Sequence, residues 1–451
     1  MKYLFVTWDG GGNLRPELAV ASRLVGRGHE VRFLGHRSQE VAVKEAGCRF
    51  SAFERAPDSD LTHPDGTVNL GPKLFAQLRE RLFFGPAAAF ATDVLGELDR
   101  HPTDAVAVDC MLFGALAAAE RSGLPSAALY HTIYSPPALD VPPFGPGFGL
   151  PEGWRDRLPQ KAFRAMANRL WKKGLPAFND ARAEIGLPPL SSVFEQFDRL
   201  DRVLLMTSPA FDFAALSGAR LPANVRYVGP QVELAHGPRA AVGGPLLRSM
   251  PGRDRPAASA DDRPLVLVSF STAYQAQEPV VRRVLAALET LPVRALVTTG
   301  PSLELNGAVP TNVEVRSFVP HAEVLPRTDL VVTHAGMGTV MASLAHSVPL
   351  VCLPMGRDQL DVAARVVHAG AGRRLSPKAG EAKIAAAIRD ALADHTLTAR
   401  ARRLGRVIDD ELAADQAVAE LEGLADPRLD QMAKEKRERD EPLVSCVGSP
   451  G

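Results

Sequence analysis

The chain has 451 residues with 52 Lys plus Arg and 52 Asp plus Glu, so its formal net charge is zero, and no global field draws it to nucleic acid or an anionic membrane surface. Glycine and proline number 37 each and 46% of residues are hydrophobic, short of the ~25–30% Gly plus Pro of low-complexity chains and enough for two α/β cores. Cys48, Cys110, Cys352 and Cys446 lie far apart without C-x-x-C spacing, and Asp109 and Gly114 interrupt the best apolar run, Ala105 to Ala119, which argues against a disulfide framework, a zinc site or a span of ~18 apolar residues.

The first predicted element is the strand Tyr3 to Trp8, too short for a signal-peptide core and leading directly into Asp9-Gly-Gly-Gly. A helix over Pro16 to Arg27, a strand from Val31, a helix over Ser38 to Ala46 and strands from Ala105 and Ser126 follow. Strands at Val203 and Val225 extend the series. Runs that are apolar on both faces and separated by helices imply a parallel sheet with covered faces and right-handed crossovers. The segment from Thr132 to Leu190, which includes SPPALDVPPFGPGFGLPEGW, is rich in proline and aromatics and reads as a loop-dominated pocket wall. Between Glu233 and Pro264 the composition lapses into Gly, Pro, Ala and Arg, suited to a tether. The rhythm restarts with strands from Leu265, Arg294, Val313, Leu330 and Leu350. Two tandem doubly wound domains are therefore expected: 1–232, a linker 233–262, and 263–425, whose last helix is able to cross back to the first domain. Residues 426–451, with MAKEKRERDE and a Ser-Pro-Gly end, read as a solvated tail.

The strand Leu330 to Thr333 ends in His334-Ala-Gly336-Met337-Gly338-Thr339, where a helix begins. Glycines there allow close backbone approach, and free N–H groups at a helix start carry about half a positive charge, which suits a pyrophosphate. His334 and the Thr339 hydroxyl are expected as further donors, with His334 offsetting charge on a departing phosphate. The whole segment from Ser317 to Val366 resembles the nucleotide-binding signature of glycosyltransferase family one, the GT-B enzymes that glycosylate antibiotics and plant metabolites. By that resemblance Phe318 stacks on the nucleobase and the backbone of Val319 reads its edge. Asp358 and Gln359 bind hydroxyls of the donor sugar, and Ser271 and Thr272 meet the phosphates. Phe318 as a core aromatic and Asp358 as a helix N-cap are the competing readings. Many family members that use UDP-sugars carry a Glu eight residues after the signature His, where this chain has Ala342. An alanine does not read a ribose 2′-OH, which favours a dTDP-sugar over a UDP-sugar.

In the family a His three residues before a Pro, in the loop after the first strand, deprotonates the acceptor, helped by an Asp after a later strand. Here Asn13 takes the His position before Pro16, while Asp109 closes the strand Ala105 to Val108. An amide is no general base. Asp9 and Asp109, both at strand ends, are the candidate bases, since two acids in a partly apolar cleft raise one pKa. Asp109 as a cap for the helix from Leu112 is the competing reading. His131, ending the strand Ser126 to Tyr130, is a third candidate base or a wall residue. Some family members that form C-glycosides likewise lack the His.

The expectation is thus a GT-B, metal-independent, inverting hexosyltransferase without a cofactor, moving sugar from a nucleotide-sugar donor to a small hydrophobic acceptor by O- or C-linkage. A cytoplasmic monomer or homodimer with no nucleic-acid or membrane partner is expected. A degenerate nucleotide-sugar-binding protein and a non-hydrolysing sugar epimerase on the same fold are the alternatives. Retention of Asp358-Gln359 disfavours the first, and the long segment after Thr132 disfavours the second.

Overall fold

The computed structural model describes residues 1–58, 76–232, 262–270, 277–300, 305 and 307–426. The expected linker and tail, apart from Asp262 and Asp426, lie outside the described residues, as do Ser271 and Thr272. The first half contributes β1 (Lys2–Val6), β2 (Glu30–Gly35), β3 (Arg49–Ala52), β4 (Ala105–Asp109), β5 (Ser126–Tyr130), β6 (Arg202–Leu205) and β7 (Val225–Tyr227). They form one sheet in the order β3-β2-β1-β4-β5-β6-β7. The second half contributes β8 (Leu265–Ser269), β9 (Arg294–Thr298), β10 (Val313–Arg316), β11 (Leu330–Thr333), β12 (Leu350–Cys352) and β13 (Gly372–Arg374), in the order β10-β9-β8-β11-β12-β13. Pairing is parallel throughout, with Tyr3 between Val31 and Ala105 and Val331 between Leu267 and Leu350. In each sheet the chain starts at a central strand, winds outward one way and then the other. Its reversal points, between β1 and β4 and between β8 and β11, open crevices at the strand carboxyl ends where α/β proteins bind ligands.

Alternation along the strands builds a core on each face. Tyr3 and Phe5 join Leu24 and Phe33 on one side of the first sheet, while Leu4 and Val6 join Phe90 and Val108 on the other. Leu265 and Leu267 face a different layer from Val266 and Val268 in the second sheet. The edge strands β3 and β13 escape the sequence reading because they are short and polar, as exposed sheet edges tend to be. The segment 132–190 also differs from expectation: helices Trp154–Lys172 and Leu175–Glu184 occupy much of it. Its Pro and Gly punctuation thins after Gly153, and the helix-favouring Arg, Lys, Ala and Leu that follow win, even over Pro159 inside the first helix.

The C-terminal helices join the halves. Helix His395–Ala414 buries Ala401, Leu404 and Ile408 in the second half's core. The chain bends at Asp415, in the left-handed region at φ 46°, and helix Gln416–Ala425 buries Ala417, Val418, Leu421 and Leu424 beside Tyr3 and Phe5 of β1. Tyr3 Oη donates to the Leu421 carbonyl at 3.2 Å, and Glu422 receives Arg27 Nη1 and His29 Nε2, each at 2.9 Å. Leu421→Ala is expected to cost about 2–5 kcal/mol, the lost transfer energy plus the cavity. Trp8, Trp154 and Trp171 all lie in the first half, so urea unfolding followed by tryptophan fluorescence reads this loss. A change under about 1 kcal/mol would show that the helix does not brace the first sheet.

Candidate active site

At the reversal point of the first sheet the chain leaves β1 through Trp8 to Gly12 and enters helix Leu14–Gly26. Asn13 ties this turn together: its Oδ1 accepts from Gly10 N at 3.1 Å, and its Nδ2 donates to the Trp8 carbonyl at 2.8 Å. The same Nδ2 lies 2.8 Å from Oδ2 of Asp109, at the end of β4. Asp109 is fully buried (0%). Its Oδ1 accepts from Met111 N at 2.8 Å, and its Oδ2 also receives His131 Nε2 at 3.0 Å. Helix Phe113–Ser122 has no side-chain cap, so Asp109 closes a local turn and does not cap that helix. A carboxylate is thus held behind an imidazole that ends β5, with Asn13 where the family resemblance places a His.

The electrostatics follow from burial and charge. Burial pushes Asp109 up, but the His131 charge and the hydrogen bonds from His131, Met111 and Asn13 outweigh it and hold the carboxyl below its ordinary value. Burial works downward on His131, and Asp109 outweighs it and raises the imidazole. This corrects the expectation that Asp109 and Asp9 form a pair with one raised pKa. Asp9 Oδ2 accepts from Ser38 Oγ at 2.7 Å, and the acid whose charge couples with Asp109 is Glu17. Glu17 is fully buried beside Thr7 and Asp109, and burial, then the Asp109 charge, push its carboxyl well above its ordinary value. The sequence signal for Glu17 was an acid on the stripe Glu17, Val20, Ala21, Leu24 that otherwise reads as core. Ligand atoms of Asp109, Cys110 and His131 lie within 4.8 Å of one another. Burial keeps the Cys110 thiol uncharged and Asp109 Oδ2 already holds two partners, so this set is an acid–imidazole pair and fits a cation poorly.

At the reversal point of the second sheet β11 gives way to helix Met337–Ala345 through Ala335, left-handed at φ 69°. Gly336 takes the N-cap position without a side-chain cap, so the amides of Met337, Gly338 and Thr339 open the helix, and Gly338 has open space beside it. Gly336 is required by a neighbour: a Cβ there would come within 2.5 Å of His334 Nε2. His334 stacks on Phe270, with ring centroids 6.1 Å apart. Burial, then the Arg357 charge, bring its pKa down to about 4 against the pull of the Ser269 carbonyl. At neutral pH the ring is uncharged, which corrects the expectation that it offsets phosphate charge: it offers a hydrogen bond only. Ala342 is buried among apolar neighbours of the second core.

Phe318 is 53% exposed and Arg15, from the helix after β1, lies over its ring at 4.9 Å, while Val319 is buried beneath. Phe318 is therefore a surface platform and not a core aromatic. Asp358 occupies the N-cap position of helix Gln359–His368 yet makes no capping bond; its Oδ2 accepts from Thr132 Oγ1 at 3.0 Å. Arg357 before it is left-handed at φ 55°. Gln359 Oε1 accepts from Met355 N at 2.8 Å and Gly356 N at 3.2 Å, which fixes the loop that presents Asp358. Thr132 follows His131, so the acid–imidazole pair of one half and the acid of the other meet through adjacent residues. Thr132 itself carried no sequence signal.

Two parallel-sheet halves meeting at their reversal points define a GT-B glycosyltransferase architecture, and solved structures share it. The kitacinnamycin glycosyltransferase superposes with a TM-score of 0.71 at 21% identity, covering 94% of this chain and 98% of that one. VinC, solved in complex with dTDP, gives 0.64 at 18% identity over 94% and 99%. Residues 282–423 match the family described as erythromycin biosynthesis protein CIII-like, C-terminal domain. The 4′-demethylrebeccamycin synthase of Lentzea aerocolonigenes is 32% identical over 440 residues, 94% of this chain and 99% of that protein. The chain belongs to this family, the antibiotic-type glycosyltransferases of glycosyltransferase family one. Among the described residues no helix is long and apolar enough to cross a membrane.

Proposed function

We propose that this glycosyltransferase is an inverting, metal-independent hexosyltransferase that moves sugar from a dTDP-sugar, with UDP-sugars as weaker donors, to a hydrophobic natural-product acceptor. The acceptor sits in residues 1–232 and the donor in residues 263–425. The observation that carries this reading is His131 Nε2 held 3.0 Å from the buried carboxylate of Asp109: an oriented base at the mouth of the first reversal point. An imidazole whose side chain is 14% exposed, backed by a fully buried acid, takes the acceptor proton while Asp109 stabilises the imidazolium that forms. The acceptor oxygen, or an activated carbon, then attacks the anomeric carbon in line. The bond from that carbon to the diphosphate oxygen breaks, and the amides of Met337, Gly338 and Thr339 with His334 receive the leaving group. Asp358 exchanges Thr132 for a sugar hydroxyl, Phe318 stacks on the base, and Ser271 and Thr272 approach the phosphates.

The test is a panel of dTDP- and UDP-sugars against phenolic and macrolide acceptors, with glycoside detected by mass. Turnover of a donor and acceptor pair without added metal is the expected outcome. Calorimetry on the same protein is expected to give dTDP binding at least as tight as UDP binding, because Ala342 offers no partner for a ribose 2′-OH. A strong preference for UDP would show that another residue reads that hydroxyl and would remove the basis for the dTDP assignment.

A further inference from the structure

Helix Gln359–His368 is joined to the first half along one face. Asp358, Asp361 and Arg365 recur at intervals of three and four, so they lie on the same side of the helix. Each meets a group from the first half. Asp358 Oδ2 accepts from Thr132 Oγ1 at 3.0 Å, and Arg365 Nε and Nη2 reach Asp212 Oδ1 at 3.1 and 2.9 Å. Between them Asp361, 2% exposed, accepts Gly145 N on Oδ2 at 2.6 Å and Gly147 N on Oδ1 at 2.8 Å. Arg374 of β13 adds Nη1 to the Gly147 carbonyl at 3.1 Å. Gly147 is left-handed at φ 70°, and a Cβ there would stand 2.5 Å from the Leu360 carbonyl, so only glycine lets the backbones come so close.

We propose that Asp361 is a positioning residue: it grips the backbone of segment 143–149, part of the acceptor wall, and so fixes that wall to the helix that presents Asp358 to the donor sugar. Both carboxylate oxygens are committed to amides 216 and 214 residues away in sequence. Segment 143–149 has no ionisable side chain of its own; besides the Asp361 and Arg374 contacts it is held by Gln160 Nε2 on the Gly149 carbonyl at 3.0 Å and by Phe148 against Phe163. The acceptor wall and the sugar grip thereby move as one body, which aligns acceptor and anomeric carbon across two separately folded sheets. This inference rests on the acceptor being seated in the first half.

Hydrogen exchange on the full chain without substrate tests the grip directly. Asp361→Asn turns one acceptor oxygen into a donor facing a donor, and peptides covering 143–149 are expected to exchange about tenfold faster, the worth of one net hydrogen bond. Gly147→Ala is expected to do the same from the other side. The double variant should add little to either single change, because both break one contact. Asp361→Glu, which keeps the carboxyl group, is expected to recover part of the protection. With dTDP-glucose as donor and 2-naphthol as acceptor, the acceptor KM of Asp361→Asn is expected to rise about tenfold on the same reasoning, with dTDP affinity unchanged. Unchanged exchange at 143–149 would overturn the grip itself. Faster exchange with an unmoved acceptor KM would overturn the positioning role and show that the acceptor is seated elsewhere.

Discussion

His131→Gln is expected to lower kcat on an alcohol acceptor about 10²–10⁴-fold, the usual loss when a general base is removed. Asp109→Asn is expected to fall in the same range, and Asp9→Asn to stay near wild type, since Asp9 Oδ2 is taken by Ser38 Oγ and not by the dyad. The pH profile separates catalysis from structure. Burial works to lower the His131 pKa, but the charge and hydrogen bond of Asp109 carry it above the ordinary 6.5. A base works unprotonated, so kcat/KM rises with pH through that raised value and is lost below it. Asp109→Asn removes the largest upward contribution, and its acid limb is expected at lower pH than that of wild type even as the rate falls. A carboxylate that only closed the turn to Met111 would cost about 1 kcal/mol of stability on conversion to Asn and leave the limb in place. Full activity of the His131 variant on an aliphatic alcohol would end the dyad assignment.

The reach of the sequence is visible in these same residues. Strands apolar on both faces and turns rich in glycine are local patterns, so the two doubly wound halves and the turn Gly336 to Thr339 are legible in the sequence. What was not readable is which groups meet. Asn13 and Asp109 are 96 residues apart, and Thr132 and Asp358 are 226 apart. Spacing indicates strand ends, and the sheet order decides which strand ends are neighbours. That order puts β4 between β1 and β5, so Asp109 has Asn13 on one side and His131 on the other. The turn after β1 has no imidazole of its own, and the end of β5, on the other side of β4, has one beside the same carboxylate. Glu17 and Asp361 were passed over for a related reason: each is an acid on a helix face that otherwise reads as core. Such a residue is retained only where a buried partner or function holds it. Asp361 has two amides, and Glu17 has Thr7 and Asp109 beside it.

The second large effect is expected at the donor turn, where His334→Ala should reduce kcat on the order of 10²-fold, since one aimed donor to a developing anion is worth ~2.7–4 kcal/mol. The neutral state of the ring makes this distinguishable from the dyad. With its pKa brought down to about 4 by burial and then by Arg357, His334 does not titrate near neutrality, so its loss should scale the whole pH profile down and leave the acid limb where His131 sets it. Gly336→Ala supplies an independent measurement. Its Cβ would sit 2.5 Å from His334 Nε2, so the imidazole must swing away while remaining chemically intact, and turnover should fall toward the His334→Ala level. The double variant should be no worse than His334→Ala alone, because the three atoms nearest the added Cβ all belong to the imidazole already removed. If His334→Ala instead abolished the near-neutral limb, the titrating imidazole would belong to the donor half and the roles given to His131 and His334 would have to be exchanged.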